Sequence, residues 1–222
     1  MIITIDGPAG SGKSTLAGML ANKIGFTHFN SGSLFRGVTA FLYENNIDIA
    51  NLKPSDSLPN FEISVKIIGD NQHVFVNNKD YFSELRKNHI SNLVPYVAKH
   101  SLCRQIIDNC QKEFCSKNNV VVEGRDVGSF VFPNAEIKFY LDCSLEERAK
   151  RRFLDLQKNN TNITLNEIKS QLEERDMIDR TRPIAPLVIP KNAIIIDSTN
   201  LKPDEICKKM HQFVIKQNST IV

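Results

Sequence analysis

The chain has 222 residues, 41% hydrophobic and 24% charged, enough to bury a full core and unlike a disordered, collagenous or fibrous protein. Its 28 basic and 25 acidic residues leave a net charge of +3, too small a surplus to make nucleic acid or an anionic membrane surface the expected partner. No apolar run approaches the roughly 18 residues that a membrane span needs. Met1 to Asp6 carries no basic leader and reads as a buried strand rather than a secretory signal, so a cytoplasmic location is expected. Cys103, Cys110, Cys115, Cys143 and Cys207 contain no Cys-x-x-Cys pair and no flanking histidine cluster; reduced, mostly buried thiols are expected, not a disulfide framework or a zinc site.

In chain order, Ile2 to Asp6 is a short apolar strand ending in a glycine-rich turn, and Lys13 to Ile24 has helical spacing at Leu16, Leu20 and Ile24 before Gly25 stops it. A short strand near Thr27 to Phe29 follows. From about Leu58 to Asn78 the rhythm changes to β-branched alternation, at Ile63 to Ile67 and Val74 to Val76 around the turn-rich Gly69-Asp70-Asn71, which predicts a small antiparallel insertion. Strands at Val120 to Val122, Ile137 to Leu141 and Ala193 to Ile196 restore the first pattern. Two of them lead into helices, one opened by Ser144 with Glu147 three residues on, the other running from about Asp204 to Lys216. Apolar strands alternating with helices predict an α/β fold on a parallel sheet, with ligands at the carboxyl ends of its strands.

Gly7-Pro8-Ala9-Gly10-Ser11-Gly12-Lys13-Ser14 is a full match to G-x-x-x-x-G-K-[ST], between a strand and a helix as the phosphate-binding loop requires. Backbone amides and the helix N-terminus would hold the nucleotide phosphates. Lys13, read as an exposed loop lysine, would reach the β and γ oxygens, and Ser14 would hold a magnesium ion. Arginine supplies the second signal: lysine outnumbers it 18 to 10 overall, yet Arg148, Arg151, Arg152, Arg175, Arg180 and Arg182 outnumber the three lysines in the same stretch. Guanidinium forks grip phosphate oxygens in pairs, so two helices joined by Lys158 to Asn162 predict a basic lid over a polyphosphate. Glu123-Gly124-Arg125-Asp126 and Ser31-Gly32-Ser33-Leu34-Phe35-Arg36 each follow a strand and emerge at the same sheet edge as the loop.

Those segments, with Val131-Phe132-Pro133, the Glu-Glu-Arg-Ala-x-Arg-Arg run at 146–152, the Glu-Arg-Asp-x-x-Asp-Arg-x-Arg run at 174–182 and Ala185-Pro186-Leu187, resemble bacterial cytidylate kinase over nearly the whole chain. The resemblance implies one P-loop kinase domain over 1–222, with an NMP-binding insert at about 56–90 and a helical lid at about 148–182. It implies a monomer that moves the γ-phosphoryl group of ATP to CMP or dCMP with Mg2+. Gly7, Pro8, Ala9, Gly10, Ser11, Gly12, Lys13, Ser14 and Thr15 match the ATP loop; Arg148, Arg151 and Arg152 match the lid. Arg36, Arg125 and Arg182 match the clamps on the CMP phosphate, Arg104 and Asp126 the cytosine contacts, and Arg175 and Asp179 the ribose contacts, while Ser31 lines the acceptor pocket. Lys13, Arg125 and Arg182 would carry catalysis.

Three positions depart from the family pattern: Asn30 for an aspartate, Pro95 for a cytosine-contacting serine, and Ile178 for a lid arginine. A kinase preferring UMP shares every phosphate contact and differs only in the base pocket. A non-catalytic nucleotide-binding protein is a weaker alternative, because the lysine and the lid arginines are present. A P-loop GTPase or a DNA-repair ATPase is also a weaker alternative, because the chain has no Asn-Lys-x-Asp motif and no strongly basic surface is expected.

Overall fold

The computed structural model describes residues 1–157 and 163–220. The expected turn at Lys158 to Asn162 lies outside the described residues. Two compact units emerge, one of Met1–His28 with Asn119–Val222, the other of Phe29–Asn118.

The first unit is built on β1 (Ile2–Asp6), β6 (Val120–Glu123), β7 (Ile137–Asp142) and β8 (Ile194–Asp197), in a five-stranded sheet of order β2-β6-β1-β7-β8 whose outer strand β2 (Thr27–Asn30) leads out of the unit. The pairings of β1 with β6 and β7, and of β7 with β8, are parallel. Central strands buried on both faces explain why β1, β6 and β7 read as apolar runs. Ile3, Ile5, Val121, Phe139 and Leu141 pack with Leu16, Ala17 and Leu20 of α1 (Lys13–Ile24) and with Ile206, Met210 and Val214 of α7 (Pro203–Thr220). A separate apolar cluster, Ala9, Ala149, Leu156, Ile168 and Leu172, joins the nucleotide loop to α5 (Leu145–Gln157) and α6 (Leu165–Thr181). The Ser144 hydroxyl caps α5 by accepting from Glu147 N at 3.3 Å, and α6 opens on a full capping box between Thr164 and Glu167.

The second unit contains α2 (Ser31–Glu44), an antiparallel sheet of β3 (Ile63–Ile68), β4 (Asn71–Val76) and β5 (Lys79–Asp80), and the helices α3 (Asn88–Val97) and α4 (Ser101–Ser116). The expected hairpin is present, register fixed by Val65 opposite Val74. Helices α3 and α4 carried no expectation from sequence. Pro95 lies inside α3, and buried Arg104, Asp108 and Gln111 interrupt the apolar face of α4. His100 opens α4 with its ring: Nδ1 accepts from Cys103 N at 3.4 Å, so Nε2 is the nitrogen that donates to Asp56 O at 2.9 Å. No cysteine is paired, and Cys103, Cys115, Cys143 and Cys207 are buried. Among the described residues no helix is long and apolar enough to cross a membrane.

Candidate active site

The loop after β1 owes its shape to steric limits. At Gly7, φ is +152°, and a Cβ there would stand 2.2 Å from the Leu141 carbonyl oxygen. Any side chain would push the loop off β7. Gly12 caps α1 in the left-handed region without a side-chain bond, and the first turn of α1 holds no acid, which leaves a helix N-terminus suited to an anion. Ser198, just beyond β8, steadies the loop by donating from Oγ to Ser11 O at 3.2 Å. Nothing in the sequence marked it, since a lone serine after a strand carries no spacing signal.

Lys13 is not an exposed loop lysine. It is 4% exposed, and its ammonium donates to Pro8 O at 2.7 Å and Ser11 Oγ at 3.3 Å. The first turn of α1 folds its side chain back over the loop. Burial, and then the positive charge of Arg125, hold its pKa well below the usual lysine range, against the pull of Glu123 and Asp6.

The turn after β6 positions the next group. Residues Val127–Val131 form a single π-helical turn, and Asp6 at the end of β1 accepts from Val127 N and Gly128 N, both at 2.8 Å. A Cβ on Gly128 would meet Thr4 Oγ1 at 2.5 Å and Asp6 Oδ2 at 2.7 Å, so this turn can lie on β1 only as glycine. Burial pushes the Asp6 pKa up to about 7, with Asp126 adding to the rise and the two amide bonds opposing it. Sequence reading ended β1 at Asp6 and gave it no role.

From that turn, charges of alternating sign run in a chain. Asp126 Oδ1 lies 3.0 Å from Arg182 Nη2; Arg182 Nη1 donates to Asp179 Oδ1 at 3.3 Å; Arg125 Nε donates to Asp179 Oδ2 at 3.1 Å. Asp126, Asp179 and Arg182 are all buried. Arg182 Nε also donates to Ala185 O at 2.6 Å, which ties the Ala185-Pro186-Leu187 segment to the same cluster. Four of the residues singled out from sequence are thus in one network. Arg175 lies half-buried on α6, near enough for its charge to act on Lys13.

The arginines expected of the lid divide. Arg148 is buried and held at two nitrogens: Nη1 lies 2.6 Å from Asp176 Oδ2 and donates to Ala9 O at 3.0 Å, and Nε donates to Cys143 O at 3.1 Å. Asp176 Oδ1 accepts from Ala9 N at 3.1 Å, so the pair grips both polar groups of one loop residue. In this structure Arg148, on the first turn of α5, braces the loop through Ala9 and Asp176. Arg151 donates to Glu147 Oε1 at 3.0 Å and Ser198 O at 2.7 Å, and Arg152 is half-buried on α5.

In the second unit, Ser31 and Arg36 lie on the first turns of α2. The Asn30 side chain caps that helix, its Oδ1 accepting from Ser33 N at 3.0 Å and Arg36 Nη2 at 3.2 Å; Arg36 Nη2 also donates to Ser33 Oγ at 3.1 Å. Arg104 is buried, with its guanidinium 5.1 Å from the centre of the Phe35 ring, Nε donating to Ala98 O at 3.2 Å and Nη1 3.8 Å from Asp108 Oδ2.

The sequence model of the cytidylate kinase family matches residues 3–216. The chain belongs to that family. A cytidylate kinase of Thermotoga neapolitana is 37% identical over 212 residues, 96% of each chain, and one of Carboxydothermus hydrogenoformans is 36% identical over 223 residues, covering both chains fully. Among solved structures, TT1252 from Thermus thermophilus aligns with a TM-score of 0.53 at 15% identity over 98% of this chain and 97% of that one, a likeness of fold.

Set against the cytidylate kinase pattern, the departures acquire places. Pro95 is buried within α3, so no hydroxyl reads a base from that position. Ile178 is half-buried on α6 between Arg175 and Arg182. Asn30, where the family pattern has an aspartate, caps α2 and accepts from Arg36 through an uncharged amide oxygen.

Proposed function

We propose that the chain is an ATP-dependent cytidylate kinase, transferring the γ-phosphoryl group to CMP or dCMP and releasing ADP with CDP or dCDP. The observation that carries the reading is the Asp126–Arg182–Asp179–Arg125 chain beyond β6, in the same unit as an intact Gly7 to Ser14 loop. An acceptor phosphate is already anionic at neutral pH, so attack needs no general base, and catalysis reduces to positioning and charge neutralisation. Asp179, bonded to both Arg125 and Arg182, sets the spacing of two guanidiniums that we assign to the acceptor phosphate. Lys13 is assigned to the transferred group, Arg151 and Arg152 to the lid, and the loop from Gly7 to Thr15 to the ATP phosphates. Asp126 is assigned to cytosine, because a carboxylate accepts from the exocyclic amine and repels the uracil carbonyl. Arg175 and Asp179 take the ribose in this reading. For the second unit, the resemblance assigns Arg36 to the acceptor phosphate, Arg104 to the base and Ser31 to the lining of the acceptor pocket.

Magnesium fits as a companion of the nucleotide. Among the described residues no three His, Cys, Asp or Glu side chains gather to hold a metal, whereas Ser14, an exposed residue at the loop, carries one hydroxyl oxygen, in keeping with the sparse protein oxygen set that Mg2+ takes together with phosphates and water. Bound there, it would neutralise charge on the β- and γ-phosphoryl oxygens.

A coupled assay of ADP release with CMP, dCMP, UMP, AMP and GMP tests the assignment. CMP and dCMP should exceed the others in kcat/KM by about tenfold or more, the discrimination expected of one good base-edge contact. Equal or better turnover of UMP would replace the reading with that of a UMP-preferring kinase.

A further inference from the structure

We propose that Gln72, on the inserted sheet, is a positioning residue for the acceptor phosphate, acting through Asn30 on Arg36. The proposal rests on the assignment of Arg36 to that phosphate. β4 turns Gln72, Val74 and Val76 to one side, and Val74 and Val76 are fully buried against the neighbouring elements of the unit. Helix α2 comes down on this strand at Gly37, where a Cβ would stand 2.5 Å from Val74 Cγ1. Two residues along the strand, the apolar contact gives way to a polar one. Gln72 Oε1 accepts from Asn30 N at 2.8 Å and Gln72 Nε2 donates to Asn30 O at 3.0 Å, so one amide satisfies both backbone groups of a single residue and its orientation is fixed.

That residue is the N-cap of α2. Its Oδ1 holds Ser33 N and the Arg36 guanidinium, so the position of Asn30 sets where Arg36 points. A neutral amide oxygen in place of a carboxylate leaves the cation its full charge for a phosphate, but seats it with a weaker bond. The backbone of Asn30 must then be held by something else, and the insert does this. Misplacing a binding group by a fraction of an ångström weakens the contact without touching the chemistry of transfer.

Gln72→Leu keeps the volume and removes both bonds. KM for CMP should rise about tenfold, with kcat within about twofold, KM for ATP unchanged and the melting temperature near that of the parent. Arg36→Met should itself raise KM for CMP, and adding Gln72→Leu to it should raise KM no further, since the effect passes through the missing guanidinium. Unchanged KM for CMP in Gln72→Leu, alongside a raised one in Arg36→Met, overturns the role of Gln72 alone. Unchanged KM in Arg36→Met removes the assignment beneath it. Equal effects of Gln72→Leu in both backgrounds, or a joint loss of kcat, both KM values and melting temperature, show a merely structural residue and overturn the proposal.

Discussion

The arginines of the first unit and Arg36 of the second are seated by different means, with Arg104, 3.8 Å from Asp108, siding with the first group. In the first, Arg125, Arg148 and Arg182 rest against the carboxylates of Asp179, Asp176 and Asp126. In the second, Asn30 Oδ1 and Ser33 Oγ offer Arg36 two uncharged oxygens. A buried carboxylate holds a guanidinium strongly, and losing it strands a buried charge; a neutral oxygen holds it lightly, and losing it moves the group. Lesions in the first unit should therefore damage stability together with activity, and lesions around Arg36 should damage acceptor affinity alone.

Lys13 gives the largest expected effect and the sharpest exception. It lies in the first unit, yet the oxygens that its ammonium donates to are the uncharged Pro8 O and Ser11 Oγ. Burial works against its charge, so the folded chain gains little by keeping it. Lys13→Met should lower turnover by about a thousandfold or more, because charge on the transferred phosphoryl loses its partner. The same variant should melt at or above the parent temperature. A large fall in melting temperature would place Lys13 among the structural cations and blur the comparison.

Asp176 tests the opposite case. Its removal strands Arg148, 6% exposed, and frees Ala9 N from its acceptor in one step. Asp176→Ala should reduce the free energy of unfolding by about 3–5 kcal/mol in urea titrations, the range for breaking a buried pair. The loop should loosen with it, raising KM for ATP. A loss under about 1 kcal/mol, the range of an exposed pair, would mean that Arg148 turns to solvent, and the contrast between the units would fail.

The same contrast explains what could be read in advance. β1, α1, the parallel strands and the inserted hairpin were legible because their patterns are local: a period of two or 3.6, a glycine turn, a capping box. The loop was legible because its chemistry is written in consecutive residues. Helix α4 was not, because Arg104, Asp108 and Gln111 are buried on it and break the apolar period, and α3 was masked by Pro95. The hold of Arg148 on the loop was not legible either, because Asp176, which pairs with it, lies 28 positions away on another helix. Acids such as Asp6, Asp176 and Asp179 look the same in sequence whether they face water or a guanidinium. Only the fold separates Asp179, bonded to two arginines, from Glu146, paired with Lys169 on the surface.

Asp6 provides the last way to sharpen the comparison. The hydrogen bonds it accepts in this site come from the backbone amides of Val127 and Gly128, rather than from a guanidinium. Burial outweighs those bonds and lifts its pKa to about 7. The unfolded chain binds the same proton with a pKa of about 3.9. Because the folded value is the higher one, the folded state holds the proton more tightly, and the stability this group contributes is complete below about pH 4 and lost as pH rises toward 7. Relative to Asp6→Asn, which cannot titrate, the parent chain should lose unfolding free energy across that window, with a slope no steeper than about 1.4 kcal/mol per pH unit, and run parallel to the variant above pH 8. Urea titrations of both proteins at half-unit steps from pH 4 to 8.5 supply the curves. Parallel profiles throughout would mean that the two amide bonds hold Asp6 ionised, as a guanidinium would, and that backbone donors in the first unit match its charged partners after all.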